Sequence, residues 1–222
     1  MKQHSAITRT TQAIQHHQKS AEDLLANSSA GMSRRILWID GVGGFQLIER
    51  SEIVIGQAVS AATVDVCIVG DLSRQAAEIR RDGDDYLLQA FQPAELDGRP
   101  IDRPQLLRSG SLIQLGNRIK IKFIKPSPLS ATARLDMASL NRFKPHVDGV
   151  LLLADSCIIG PAPGSHVLCP AWNHELLLFR HSNGWFFRTL ENVEVDGRET
   201  QGQIPMVAGM RMRGADFSLS VE

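Results

Sequence analysis

Cysteine is scarce in this chain. Its 222 residues include three, Cys67, Cys157 and Cys169, and none has metal-ligand spacing. They read as small buried residues of a reducing cytoplasm, which is the expected location. Long apolar runs are missing, since nothing approaches the roughly 18–20 residues needed to span a bilayer. The polar N-terminus lacks the apolar stretch of a secretory signal. Net charge is missing as well: 24 Lys and Arg balance 24 Asp and Glu, giving +0. That argues against nucleic-acid binding driven by bulk charge and leaves room for a local basic rim. No nucleophile sits with a base at motif spacing, and there is no metal set or paired-carboxylate frame. A protein without enzymatic activity or cofactor is expected.

What is present is β-patterned. Residues 1–33 stand apart, rich in Gln, His, Ser, Thr and Ala. Gln12–Asn27 has helix-favouring composition but only Ile14, Leu24 and Leu25 as an apolar stripe, so a flexible or partly helical tail is expected. From Arg34 onward short apolar runs alternate with Gly/Asp/Asn turns. Ile36–Asp40 and Phe45–Glu49 flank Gly41-Val-Gly-Gly44, a hairpin signal. Runs follow at Glu52–Ile55, Val64–Val69, Ala77–Arg81, Tyr86–Ala90, Ala94–Leu96, Leu112–Leu115 and Arg118–Ile124. This spacing predicts an antiparallel sandwich. Lys125–Ser130, KPSPLS, reads as a linker, after which the pattern restarts.

The second half repeats the first. Ile55-Gly56 answers Ile159-Gly160 at an offset of 104, and Leu96-Asp97-Gly98-Arg99 answers Val195-Asp196-Gly197-Arg198 at an offset of 99. One copy is about a domain long, so the chain divides into a tail (1–33), a first sandwich (34–130) and a second (131–222). The short linker favours fixed packing, with Trp172 or Phe143 expected at the junction.

Several motifs recur in a particular order. Ile55-Gly56 comes first, then a buried strand, Asp71-Leu72-Ser73-Arg74, an Asp-Gly turn, and Leu107-x-x-Gly110-x-x-Ile113-x-Leu115-Gly116. This order resembles the forkhead-associated (FHA) domain, well over about residues 45–124 and in degenerate form over about 131–222. The resemblance implies an all-β protein of two FHA-like antiparallel sandwiches in tandem. In this family, loops at one end of an eleven-stranded sandwich bind phosphothreonine peptides.

Carried over residue by residue, the resemblance makes Gln57, Ser73, Arg74 and Gln75 the candidate phosphopeptide contacts. The usual Ile-Gly-Arg is Ile55-Gly56-Gln57 here. The usual Ser-Arg-x-His is Ser73-Arg74-Gln75-Ala76, without its histidine. Gln92-Pro93 occupies the loop that normally carries a peptide-gripping asparagine. Arg74 also has an expectation from the residues alone, a salt bridge to Asp71 or Asp65. Two functions remain open. One is a phosphothreonine-binding interaction module with weakened contacts. The other is a phospho-independent scaffold in which both sandwiches hold constitutive protein partners. Neither a nucleic-acid nor a membrane partner is expected.

Overall fold

The computed structural model describes residues 35–59, 64–181 and 184–222. The expected tail of residues 1–33 lies outside the described residues. In chain order the strands begin with β1 (Arg35–Ile39), β2 (Gly43–Ile48), β3 (Glu52–Gln57), β4 (Val66–Val69), β5 (Ala77–Asp82), β6 (Asp85–Ala90) and β7 (Ala94–Leu96). There follow β8 (Arg99–Pro100), β9 (Gln105–Leu107), β10 (Leu112–Leu115), β11 (Ile119–Ile124), β12 (Ala133–Met137), β13 (Arg142–Lys144) and β14 (Gly149–Leu152). The last are β15 (Ser156–Gly160), β16 (Val167–Leu168), β17 (Leu176–His181), β18 (Gly184–Val195), β19 (Arg198–Pro205), β20 (Arg211–Arg213) and β21 (Ser218–Val221). The described residues are all-β, as the sequence pattern predicts.

One sheet has the order β13-β4-β3-β5-β6-β9. The other runs β16-β15-β17-β18-β20-β21-β1-β2-β14-β12-β11-β10-β7-β8, with β19 added to β18. The long sheet stays continuous through β18. Its N-terminal part pairs with β17 and its C-terminal end with β20, and its pairing with β19 shifts register between Thr189 and Val193. Such an irregularity bends a strand enough to carry it from one layer to another. The pairing is not wholly antiparallel, because β2–β14, β3–β4 and β15–β16 are parallel. Parallel neighbours need a crossover connection; between β2 and β14 that crossover is the whole first lobe.

Two apolar cores result, and the chain crosses between them. The first holds Ile53, Ile55, Ile68, Ile79, Tyr86 and Phe123, together with Ala133, Leu135, Phe143, Val150 and Leu152. The second holds Cys157, Ile159, Trp172, Leu178, Phe187 and Leu219, together with Leu37, Ile39, Phe45 and Leu47. The cores therefore do not divide at the Pro/Ser segment. Strand β12 continues the first lobe by pairing with β11, and the opening strand β1 completes the second by pairing with β21. Each lobe is closed by strands from the other half of the chain, and Arg35–Glu222 form one compact unit. Phe143 and Trp172 each sit inside a core and not at a junction between lobes. Cys67, Cys157 and Cys169 are buried, as expected, and no disulfide joins them.

The central strands are apolar on both faces for this reason. Along β2, Phe45 and Leu47 face the second core while Ile48 faces the first. Along β14, Val150 and Leu152 face the first core and Leu151 the second. Strands buried on both faces read as continuous apolar runs, and LLLA at 151–154 is such a run.

The linker is itself packed. The Ser130 hydroxyl donates to the Ser156 carbonyl (2.6 Å), and Tyr86 donates its phenol to the Ala131 carbonyl (2.8 Å). Farther along, Arg134 donates to the His166 carbonyl (2.6 Å) while Asp136 holds its guanidinium (2.8 Å). His166 is fully buried, and its Nδ1 accepts the Ile158 amide at 2.9 Å. Burial pushes the imidazole down to about 4, because a charge there would lose its hydration.

A fragment of residues 35–130 ends before β12 and leaves Tyr86 and Phe123 uncovered. A fragment of residues 35–154 keeps β1 through β14 and with them the strands that cover the first core. The second should unfold cooperatively in urea with dispersed amide resonances, and the first should not; the opposite ranking would refute the crossed assembly.

The His166 prediction concerns acid stability. Its folded value lies below the ordinary 6.5, so the unfolded chain binds the proton more tightly between those values. Its contribution is complete above about pH 6.5 and is lost as pH falls toward about 4. Urea midpoints over that window should fall less steeply for His166→Phe than for wild type.

Candidate functional site

The loop between β4 and β5, residues 70–76, is shaped by what lies under it. A Cβ on Gly56 would stand 1.9 Å from the Arg74 carbonyl oxygen and 2.7 Å from its carbon. Only glycine admits so close an approach of two backbones. The loop is then tied to β3 from both sides. The Gln57 amide donates to the Ser73 carbonyl (3.0 Å), and the Ala76 amide donates to the Ile55 carbonyl (2.8 Å). The Ser73 amide donates to Oε1 of Gln92 at 3.0 Å. Gln92 therefore serves as a loop brace, a role its place in a shortened loop did not announce.

Of the four sequence-predicted residues, Ser73, Arg74 and Gln75 are exposed together on this loop. Gln57 is half-buried beneath them, and its side-chain amide donates to the Gly70 carbonyl at 3.3 Å. The expected salt bridge of Arg74 is not formed. Asp65 is taken by Arg50 (3.2 Å) and by the Val54 amide (2.9 Å), and Arg74 has no ion pair among the described residues. The Ser73 hydroxyl likewise has no hydrogen bond among the described residues. An exposed hydroxyl beside an unpaired guanidinium, on a loop whose backbone is already held, can receive an anion with little reorganisation.

Two further segments border this loop. Gly116, in the turn before β11, lies with its virtual Cβ 3.6 Å from the Gln92 amide and 3.9 Å from the Asp71 carbonyl. The segment before β13 presses on Gly70, and Asn141 donates its side-chain amide to the Val69 carbonyl at 3.2 Å. These segments bring Arg118 and Arg142 toward the rim, both exposed and without an ion pair among the described residues. The Gly116-Asn117 turn was legible in the sequence. The pairing of β13 with β4 was not, because it joins residues more than seventy positions apart.

The matching region of the second lobe is built alike but closed. β15 pairs with β16 in parallel and with β17 antiparallel, as β3 does with β4 and β5. The two Asp-Gly turns agree in detail. Asp97 and Asp196 have φ of 51° and 49°, and their carboxylates accept the Leu112 and Arg211 amides at 2.7 and 2.9 Å. Where the first lobe exposes Ser73 and Arg74, however, the second buries Trp172 against Phe217, ring centroids 4.7 Å apart. Asp216 accepts the Asn173 amide, and His174 meets Glu191 at 3.4 Å. The crevice left is about 30 Å³ and is bordered by Glu175, Glu191 and Asp216. An anion there would meet carboxylates.

A larger groove of about 570 Å³ lies on the β18–β20–β21 surface. Its two arginines, Arg211 and Arg213, face three acids, Asp40, Glu194 and Asp196. It concentrates no positive charge.

Among solved structures, the chain is similar to the FHA domain of the CT664 protein from Chlamydia trachomatis. The match has 22% identity and a TM-score of 0.27, and covers 38% of this chain and 90% of that one. A second match is the Rv0020c FHA structure, at 26% identity and a TM-score of 0.26, covering 40% and 89%. A third is the FhaA FHA domain complexed with the intracellular domain of Rv3910, at 27% identity and a TM-score of 0.26, covering 37% and 91%. No family model and no curated protein matches the chain.

The two Ile-Gly turns give a graded prediction. Gly56→Ala would drive a methyl into a carbonyl of the backbone, whereas at Gly160 the nearest atom, at 2.9 Å, belongs to the Glu175 side chain. Gly56→Ala should cost about 2–3 kcal/mol in urea unfolding, at the upper end of overpacking. Gly160→Ala should cost less. Equal losses would show that the backbone approach at Arg74 does not set the loop.

Proposed function

We propose that this protein is a non-enzymatic, FHA-like interaction module of the cytoplasm. In this reading the first lobe binds a phosphothreonine-containing segment of a protein partner. The second lobe is a degenerate copy that completes the fold. The observation that carries the reading is the unpaired, exposed Arg74 beside the free Ser73 hydroxyl, on a loop braced by Gly56 and Gln92. A charged donor and a hydroxyl on a fixed backbone suit an anionic group, and phosphate offers three acceptor oxygens to them. The motif order described from the sequence supports the same assignment.

The phospho-independent scaffold keeps one observation in its favour. Gln57 stands where the resemblance implies a cation, and its amide is turned to the Gly70 carbonyl. Replacing a charged donor by a neutral one costs about 1–1.5 kcal/mol, so affinity for phosphate should be modest.

The two readings separate in one experiment. The full chain is screened against an immobilised phosphothreonine peptide library and its unphosphorylated counterpart. Enrichment of phosphorylated peptides is expected, with Ser73→Ala weakening the selected peptide about tenfold, the loss of one hydrogen bond to a charged group. Equal recovery of both libraries would favour the scaffold. Undiminished binding by Ser73→Ala would remove Ser73 from the site.

A further inference from the structure

The rim of the first lobe is built partly by the second half of the chain. β13 lies at the edge of its sheet, beside β4, with Arg142 opposite Val69 and Lys144 opposite Cys67. Phe143 between them is buried in the first core, at 2% exposure. Strand alternation therefore turns Arg142 and Lys144 to the outer face, and both are exposed. Val69 shares that face and is 54% exposed, and Leu140, two residues before Arg142, is fully exposed. Neither cation has an ion pair among the described residues. The strand is fastened to the loop it borders, since Asn141 bonds the Val69 carbonyl and packs against Gly70. In a chain of net charge +0, Arg74, Arg118, Arg142 and Lys144 are thus gathered on segments that touch, with Asp71 the exposed acid of the same loop.

We propose that β13 forms a basic ledge beside the Ser73–Arg74 loop, and that it receives an acidic side chain flanking the phosphothreonine of the bound segment. This rests on the phosphothreonine reading above. The ledge cannot easily share the phosphate itself: Arg142 stands opposite Val69, four residues before Ser73, and on the outer face of the sheet. A second anionic group on the same peptide fits that displacement, and the exposed Val69 and Leu140 offer an apolar floor for its methylenes. The ledge also offsets the missing cation at Gln57, because two weak charged contacts on one peptide combine their free energies. Charges on an edge strand also discourage strand-to-strand pairing. That role alone would leave peptide preference unchanged when they are replaced.

The test uses the full chain and a degenerate phosphothreonine peptide library, with the unphosphorylated library beside it. Wild type should enrich Asp or Glu at a position flanking the phosphothreonine. Arg142→Ala combined with Lys144→Ala should keep the preference for phosphorylated peptides, lose the acidic preference, and weaken the selected peptide about three- to tenfold. Arg142→Lys should retain the acidic preference. Arg142→Glu should shift enrichment toward Lys or Arg at that position. An acidic preference that survives in the double variant, or none in wild type, would overturn the ledge while leaving the phosphothreonine site intact. Failure of wild type to enrich phosphorylated over unphosphorylated peptides would overturn the underlying reading and the ledge with it.

Discussion

Strands β1, β2 and β14 lie side by side with a core on each face, and the rest of the molecule depends on that arrangement. Alternate side chains of one strand serve different lobes: Ile36 is in the first core, while Leu37 and Ile39 are in the second. Hydrophobic burial is proportional to the area removed from water. A strand that buries both faces thus contributes to both lobes, and neither lobe can lose it without exposing a core. The polar ties at Ser130, Thr132 and Arg134 satisfy buried groups along the seam, donating to or accepting from the second half. Buried polar groups left unpaired would cost more than these bonds contribute.

This shared layer also decides which segments meet at the rim of the first lobe. β12 must return to the first lobe to pair with β11, and the chain then passes along the rim as β13 before re-entering the core as β14. The detour brings Asn141 against Gly70, at the start of the loop that carries Ser73 and Arg74, and sets Arg142 opposite Val69. The second lobe has the same turns and the same strand pairing at its own rim. There, Trp172 fills the space and Asp216, Glu191 and Glu175 border what remains. Similar backbones thus carry different charges, an exposed Arg74 on one rim and three carboxylates on the other.

Much of the fold was legible locally. The hairpin at Gly41–Gly44, the Asp-Gly turns and most strand positions followed from turn chemistry and β-branched runs, which act over a few residues. The short strands β8, β9 and β13 were not legible, since two or three residues carry no periodic signal. In the second half, one stretch resolves into the two strands β20 and β21 joined at a turn, and β18 runs unbroken over twelve residues. In the candidate site, Ser73 and Arg74 were singled out by their motif, and they lie exposed on one loop. The partner expected for Arg74 was wrong: Asp65 is close in sequence but engaged by Arg50.

What the sequence determined by itself is the list of local elements, the internal repeat and the loop with an exposed Ser73-Arg74 pair. Each depends on neighbours within one turn or strand. Tertiary structure alone decided which half of the chain completes which core. The apolar runs of β2 and β14 are equally good partners for either face, and only pairing at long range assigns them. The same long-range pairing set Arg142 and Lys144 along β4, the strand that leads into the Ser73–Arg74 loop, because a charge acquires its neighbours only when the strand that bears it docks.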